Sequence, residues 1–191
     1  YANAPKEALQ YKDKGNLTGF GFAPEGIENN EVIYELLTDW GWTDDVIDLD
    51  EWLEMYCNAR YGGFPPKMKA SWDLLRKSCF GTFTDHPRFK YQFRPGTGGA
   101  TVHKSKEFYE AVKLFLACSN ELDNSELYVF DAIELGVQYL GLRTDELLNK
   151  AQSTKTKNRF AFYEEAIELM KFMDKLLASH PNHKLENWVN L

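Results

Sequence analysis

Gly19-Phe20-Gly21-Phe22-Ala23-Pro24-Glu25-Gly26-Ile27-Glu28-Asn29-Asn30-Glu31 sets Glu25 between a short apolar run and an amphipathic segment. Leu17 to Phe22 has the length and aromatic content of a buried strand, with glycines where a backbone or ligand comes close. Pro24 and Gly26 force a sharp turn around Glu25. Val32, Ile33, Leu36, Leu37 and Trp40 then recur at helical spacing, with Asn29 or Asn30 as N-cap. Strand, acidic turn and helix is the layout that presents catalytic groups at the carboxyl end of a barrel strand. One such unit is not a barrel.

Beyond Trp40 the pattern breaks at Gly41 and an acidic link, which places a domain boundary between residues 45 and 46. Asp48 with Glu51 has the spacing of a capping box, and Leu49, Trp52, Leu53 and Tyr56 form the face of a helix ended by Gly62-Gly63. Pro65-Pro66 opens a second helix with Met68, Trp72, Leu75 and Cys79 on one face. Thr82 to Val102 is irregular, about 20 residues that pack against something or line a site. Ser105 caps a helix through Phe108, Val112, Phe115 and Leu116. Ser125 caps a longer one through Phe130, Ile133, Val137 and Leu140. Asn158 starts a third through Tyr163, Ile167, Met170 and Leu177. The expected fold is mainly α: a bundle-like helical domain, residues 46–191, preceded by one strand–helix unit, residues 1–45.

The 191 residues are 43% hydrophobic and 15% aromatic, enough for a packed core. A net charge of -7, with basic residues scattered among acids, argues against a nucleic-acid partner. No apolar run approaches the roughly 20 residues of a membrane span. The chain opens at Tyr1 without a signal segment, as an excised piece does, so no address is expected in it. Cys57, Cys79 and Cys118 lie in helical segments without paired zinc spacing and read as buried free thiols, one disulfide being the alternative.

Glu25 is the strongest candidate for chemistry. The positive end of the following helix favours its ionised form, which a glycosidase nucleophile requires. The competing reading makes Glu25 a support for the helix N-terminus. Glu28 and Glu31 stand in the first turn, where acids are common for dipole reasons. Arg94 to Ser105 is rich in glycine but fails the phosphate-loop spacing, since Lys104 lies five positions beyond Gly99. His180-Pro181-Asn182-His183 offers two imidazoles without a third ligand and reads as a solvated loop, not a metal site. Most of the stripe Trp40, Trp42, Trp52, Tyr56, Tyr61 and Trp72 is expected to be core, with Trp42 and Tyr61 exposed at segment ends. Asn16-Leu17-Thr18 matches the glycosylation pattern, but its lead into the predicted strand argues against modification.

The run Ala23-Pro24-Glu25-Gly26-Ile27-Glu28-Asn29-Asn30-Glu31-Val32 resembles the segment around a catalytic glutamate in the α-N-acetylglucosaminidases of glycoside hydrolase family 89. The resemblance continues through Glu51-Trp52-Leu53, Asn58-Ala59-Arg60-Tyr61-Gly62 and Ser71-Trp72-Asp73-Leu74-Leu75, and more weakly to about Trp188. It implies a retaining exo-hydrolase of terminal α-linked N-acetylglucosamine, with a (β/α)₈-like barrel and an all-helical carboxyl-terminal domain. On that resemblance residues 1–45 are the last strand and helix of the barrel, and the rest is most of the helical domain. Glu25 is then the nucleophile, with Asn30, Glu31 and Tyr61 as candidate substrate-binding residues. The acid/base glutamate of the family belongs to an earlier barrel strand.

The resemblance further implies no metal or organic cofactor. The implied partners are a glycan ending in N-acetylglucosamine and the upstream barrel of the same polypeptide, in a lysosomal or exported bacterial setting. The 191 residues alone are expected to be inactive. The rival expectation is a non-catalytic helical module that binds a carbohydrate or a protein.

Overall fold

A computed structural model describes residues 4–21, 31–43, 46–80, 105–184 and 186–189. The fold is mainly α, and no strand occurs among the described residues. Helix α1 is Ala4–Gln10, α2 Glu31–Asp39 and α3 Leu49–Tyr61; α4 is Pro66–Leu75 and α5 Ser105–Leu116. A short α6, Ser119–Leu122, precedes the two longest helices, α7 at Glu126–Ser153 and α8 at Arg159–Ala178, and α9 is Glu186–Val189. Two 3₁₀ turns, Trp40–Trp42 and Pro181–His183, follow α2 and α8.

Local chemistry explains where these helices begin and end. Asp48 Oδ1 accepts from the backbone N–H of Asp50 at 2.8 Å and of Glu51 at 3.2 Å, satisfying two orphan donors at the start of α3. Gly62, at φ 80°, ends that helix in the left-handed region that only glycine adopts cheaply. Pro66 stands in the first turn of α4, where its missing N–H costs nothing. Ser125 Oγ accepts from the N–H of Tyr128 at 3.3 Å and so caps α7, as its position implies. Asn158 precedes α8 but its side chain makes no cap.

The chain divides into two compact units, Tyr1–Ala59 and Arg60–Leu191, and the division falls inside α3. In the first unit, Val32, Leu36 and Trp40 are buried along one side of α2 and its 3₁₀ extension. The Asp39 carboxylate accepts from Trp52 Nε1 at 2.7 Å, and Trp52 stacks on Tyr56 at 5.2 Å. The expected strand at Leu17 to Phe22 is not formed over Leu17–Gly21, and Phe22 lies outside the described residues. A strand exists only where a neighbour takes its N–H and C=O groups, and no described residue does so.

In the second unit α4 packs on α5, α5 on α7, and α7 on α8. Ser71 Oγ donates to the carbonyl of Ala111 at 2.7 Å, a buried hydroxyl satisfied across the α4–α5 contact. Phe115 and Tyr128 stack at 5.1 Å, and the Tyr128 hydroxyl donates to the Phe115 carbonyl at 2.8 Å. Leu147, Leu148 and Ala166 form a second core between α7 and α8, flanked by Phe162, Tyr163, Leu169 and Met170. Gly136 accounts for a close approach there: a Cβ at that position would lie 3.2 Å from Leu176 Cδ2.

Two face assignments differ from the spacing argument. Ile167 is 48% exposed, whereas Ala166 is fully buried. The inward face of α8 is centred on Ala166 and Met173 and includes Tyr163 and Met170 as expected, so that Ile167 alone of the predicted face turns outward. Leu116, at the end of α5, is exposed although Phe108, Val112 and Phe115 are buried as expected.

One ionic contact ties the start of this unit to α7. The Asp131 carboxylate accepts from Arg60 Nε at 2.7 Å and from the second guanidinium nitrogen at 2.7 Å. It also accepts from the Tyr61 hydroxyl at 2.7 Å, and Ser125 Oγ donates to the Arg60 carbonyl at 3.0 Å. The two charged side chains are only 9% and 15% exposed. Asp131→Ala leaves a buried guanidinium without its counter-charge and is expected to cost about 3–5 kcal/mol in chemical denaturation. A loss below about 1 kcal/mol, the range of a surface pair, would show that the contact is not a structural constraint.

Candidate functional site

The candidate site begins where α2 begins. Glu31 is the first residue of α2 and is exposed in its first turn, where the unpaired N–H groups favour a negative charge. Helix α2 is held by the burial of Val32 and Leu36, and thus starts where the stretch around Glu25 ends. Glu25 and Asn30 themselves lie outside the described residues, as do Glu28 and the glycine-rich run Arg94–Lys104.

Tyr61 is placed elsewhere than its position at a helix end implies. It is 3% exposed, its hydroxyl is taken by Asp131, and its ring meets Phe115 and Tyr128 edge-on at 5.6 and 6.0 Å. Its outward-facing expectation fails because Asp131, 70 residues further along, supplies a buried partner that local sequence does not reveal. The rest of the aromatic stripe behaves as predicted: Trp40, Trp52, Tyr56 and Trp72 are buried, and Trp42 is 92% exposed. Trp40 carries its indole N–H into the interior without a hydrogen-bond partner among the described residues.

Other reactive groups are arranged for structure. Cys57 and Cys118 are buried, Cys79 is half-buried, and all three are free thiols. Burial pushes the Cys79 thiol up to about 12, far from the thiolate a nucleophile needs. The Tyr109 hydroxyl donates to Glu146 Oε1 at 2.6 Å, and Arg143 bonds the other carboxylate oxygen at 2.5 Å. Burial and this carboxylate raise the phenol well above its usual range. This α5–α7 cluster escaped sequence reasoning because its members are 37 residues apart. Among the described residues no three His, Cys, Asp or Glu side chains converge as a metal site, and no helix is long and apolar enough to cross a membrane.

The two histidines are docked on α7 and not solvated as expected. Phe130 stacks on His183 at 5.3 Å and meets His180 edge-on at 5.3 Å. His180 Nδ1 accepts from the N–H of Asn182 at 3.3 Å, which starts the 3₁₀ turn. Glu134 Oε1 lies 3.2 Å from His183 Nε2, but the contact is not aligned as a hydrogen bond. Burial of the ring, and then the neighbouring His180, hold His183 below its ordinary value. Glu134 pulls the other way but is 43% exposed and screened by water.

Comparison with known proteins adds a family. Residues 52–191 match the alpha-N-acetylglucosaminidase (NAGLU) C-terminal domain, and residues 1–44 match the tim-barrel domain of the same family. Human alpha-N-acetylglucosaminidase is 28% identical over 199 residues, covering 98% of this chain and 27% of that protein. The chain thus spans about a quarter of the length of this curated relative. A family 89 glycoside hydrolase from Clostridium perfringens, in complex with 2-acetamido-1,2-dideoxynojirimycin, superposes with a TM-score of 0.76 at 23% identity. The superposition covers 86% of this chain and 20% of that one. A doubly substituted form of the enzyme, in complex with its substrate GlcNAc-alpha-1,4-galactose, gives 0.74 at 22% identity, covering 84% and 20%. Likeness at this level of identity establishes a shared fold.

The histidine pair makes a prediction about acid. Unfolded, His183 titrates near its ordinary value of about 6.5; folded, it titrates lower. Between those values the unfolded chain holds a proton that the native one does not, so stability falls as pH drops through that window. Urea midpoints measured from neutral to acidic pH are expected to decline more steeply in the parent than in His183→Gln. Parallel profiles would remove His183 from the account.

Proposed function

The chain belongs to the alpha-N-acetylglucosaminidase family, and from that premise we propose that it is the carboxyl-terminal part of a retaining exo-glycosidase. Its substrate is a glycan ending in α-linked N-acetylglucosamine. Residues 1–45 are the last strand and helix of the catalytic barrel, and residues 46–191 are the helical domain that follows. The reading is carried by one observation: Ala23-Pro24-Glu25-Gly26-Ile27-Glu28-Asn29-Asn30 lies inside the residues matched to the barrel domain, immediately before α2.

Glu25 is the nucleophile in this reading. Its carboxylate attacks the anomeric carbon while a second carboxyl group of the barrel protonates the leaving oxygen. The glycosyl-enzyme is then hydrolysed by water activated by that second group, and two inversions give net retention. Asn30 and Glu31, which follow Glu25 in the same run of sequence, are substrate contacts in this reading. Tyr61 is not retained among them, since its hydroxyl and ring are both engaged in the interior.

In the whole protein Glu25→Gln is expected to bring hydrolysis of an aryl α-N-acetylglucosaminide below detection without unfolding the chain. Glu25→Gly supplied with azide is expected to yield the β-glycosyl azide, the product of one inversion. Retained hydrolysis, or azide without effect on a folded variant, counts against the nucleophile role. The 191 residues expressed alone are expected to bind or ignore sugar but not to turn it over, because the acid partner is assigned to another barrel strand. Measurable turnover by that polypeptide would overturn the assignment.

A further inference from the structure

Asp39 closes α2, and its carboxylate stands where a helix least favours one. The last carbonyls of a helix carry the negative end of its dipole, and the last turn of α2 holds no basic residue to offset it. The carboxylate is met instead by the Trp52 indole, whose Nε1–H donates to Asp39 Oδ2 at 2.7 Å in a charge-assisted bond. Trp52 is itself buried and held on two sides. Its backbone N–H donates to the Asp48 carbonyl at 2.9 Å in the first turn of α3, and its ring stacks on Tyr56 at 5.2 Å. Asp39 falls within the residues matched to the barrel domain, and Trp52 is the first residue matched to the C-terminal domain. At nine residues α2 is too short to be stable alone, so contacts with its surroundings decide where it sits. Burial of Val32 and Leu36 is non-directional and does not by itself fix the helix along its axis. A directional bond at its last residue does.

We propose that Asp39 and Trp52 are positioning residues for the glycosidase, a brace that fixes α2 and through it the approach of Glu25 to the sugar. The inference rests on the reading of Glu25 as nucleophile. Glu25 stands six residues ahead of Glu31, the first residue of α2, so a displaced helix shifts the end of the stretch that carries the carboxylate. Covalent attack is sensitive to such a shift: a misplacement of about 1 Å costs roughly 100-fold in rate. Binding of the substrate draws on the whole pocket and responds far less. Neither residue is catalytic, since Trp52 acts through Asp39 and Asp39 acts through α2. The pairing requires an acceptor at 39 and an N–H donor at 52, and it makes the two residues dependent on each other.

The test uses the whole protein and follows hydrolysis of an aryl α-N-acetylglucosaminide, with kcat referred to folded enzyme measured by circular dichroism. Asp39→Ala removes the acceptor, and Trp52→Phe removes the donor while keeping a ring to stack on Tyr56. Each is expected to lower kcat about tenfold and to leave KM within about threefold of the parent. Asp39→Asn, whose amide oxygen accepts from the same N–H, is expected to keep kcat within about threefold of the parent. The double variant is expected to be no slower than the slower single one, the mark of a shared contact. If Asp39→Ala does not fold, Trp52→Phe and Asp39→Asn decide. Parent kcat in Trp52→Phe overturns the inference, as does a double variant whose loss is the product of the two single losses. Glu25→Gln is measured alongside. If it is inactive while Asp39→Ala and Trp52→Phe keep the parent's kcat, the brace alone is overturned; if it retains turnover, the nucleophile reading falls and the brace with it.

Discussion

Asp131 is the constraint on which the helical unit depends. Three hydrogen bonds converge on its carboxylate from Arg60 and Tyr61, two residues that end a helix about 70 positions earlier. Taking a carboxylate and a guanidinium out of water costs several kcal/mol per ion, and only good geometry with further hydrogen bonds recovers it. Here the fork of Arg60 meets both oxygens and the phenol fills a remaining lone pair. Ser125 links the same place to the start of α7 by capping the helix and donating to the Arg60 carbonyl. The arrangement fixes the end of α3 against the first half of α7.

Much of this fold is legible in sequence because it is written in local chemistry. Asp48 and Ser125 announce helix starts through their own oxygens, Gly62 announces a helix end, and Met68, Trp72 and Leu75 repeat at the helical period. What local pattern does not carry is the choice between adjacent faces. The approach of α8 to α7 puts Ala166 inward and turns Ile167 outward, a decision made by packing between helices. The same limit explains Tyr61 and the histidine pair. Each looked like an exposed terminus, and each is buried by a partner on α7: Asp131 for the tyrosine, Phe130 for the imidazoles. No strand forms over Leu17–Gly21 for a different reason, since pairing is a property of two segments and no described residue supplies the second.

The site was legible through a motif and not through a pattern of burial. Spacing alone leaves Glu25 balanced between helix support and catalysis, and the run from Ala23 to Val32 tips that balance because it matches one family. Glu31, the first residue of α2, is exposed, while Glu25 itself lies outside the described residues. Net charge told less: a value of -7 argues against nucleic acid as the main partner but says nothing about a neutral sugar.

Helix α7 runs for 28 residues, roughly 42 Å, and packs against both α5 and α8. Its first half holds the Tyr128 stack and its second half holds Leu147 and Leu148. Opening either half exposes a packed cluster. Detaching α8 would therefore wet the face of α7 that carries Leu147 and Leu148.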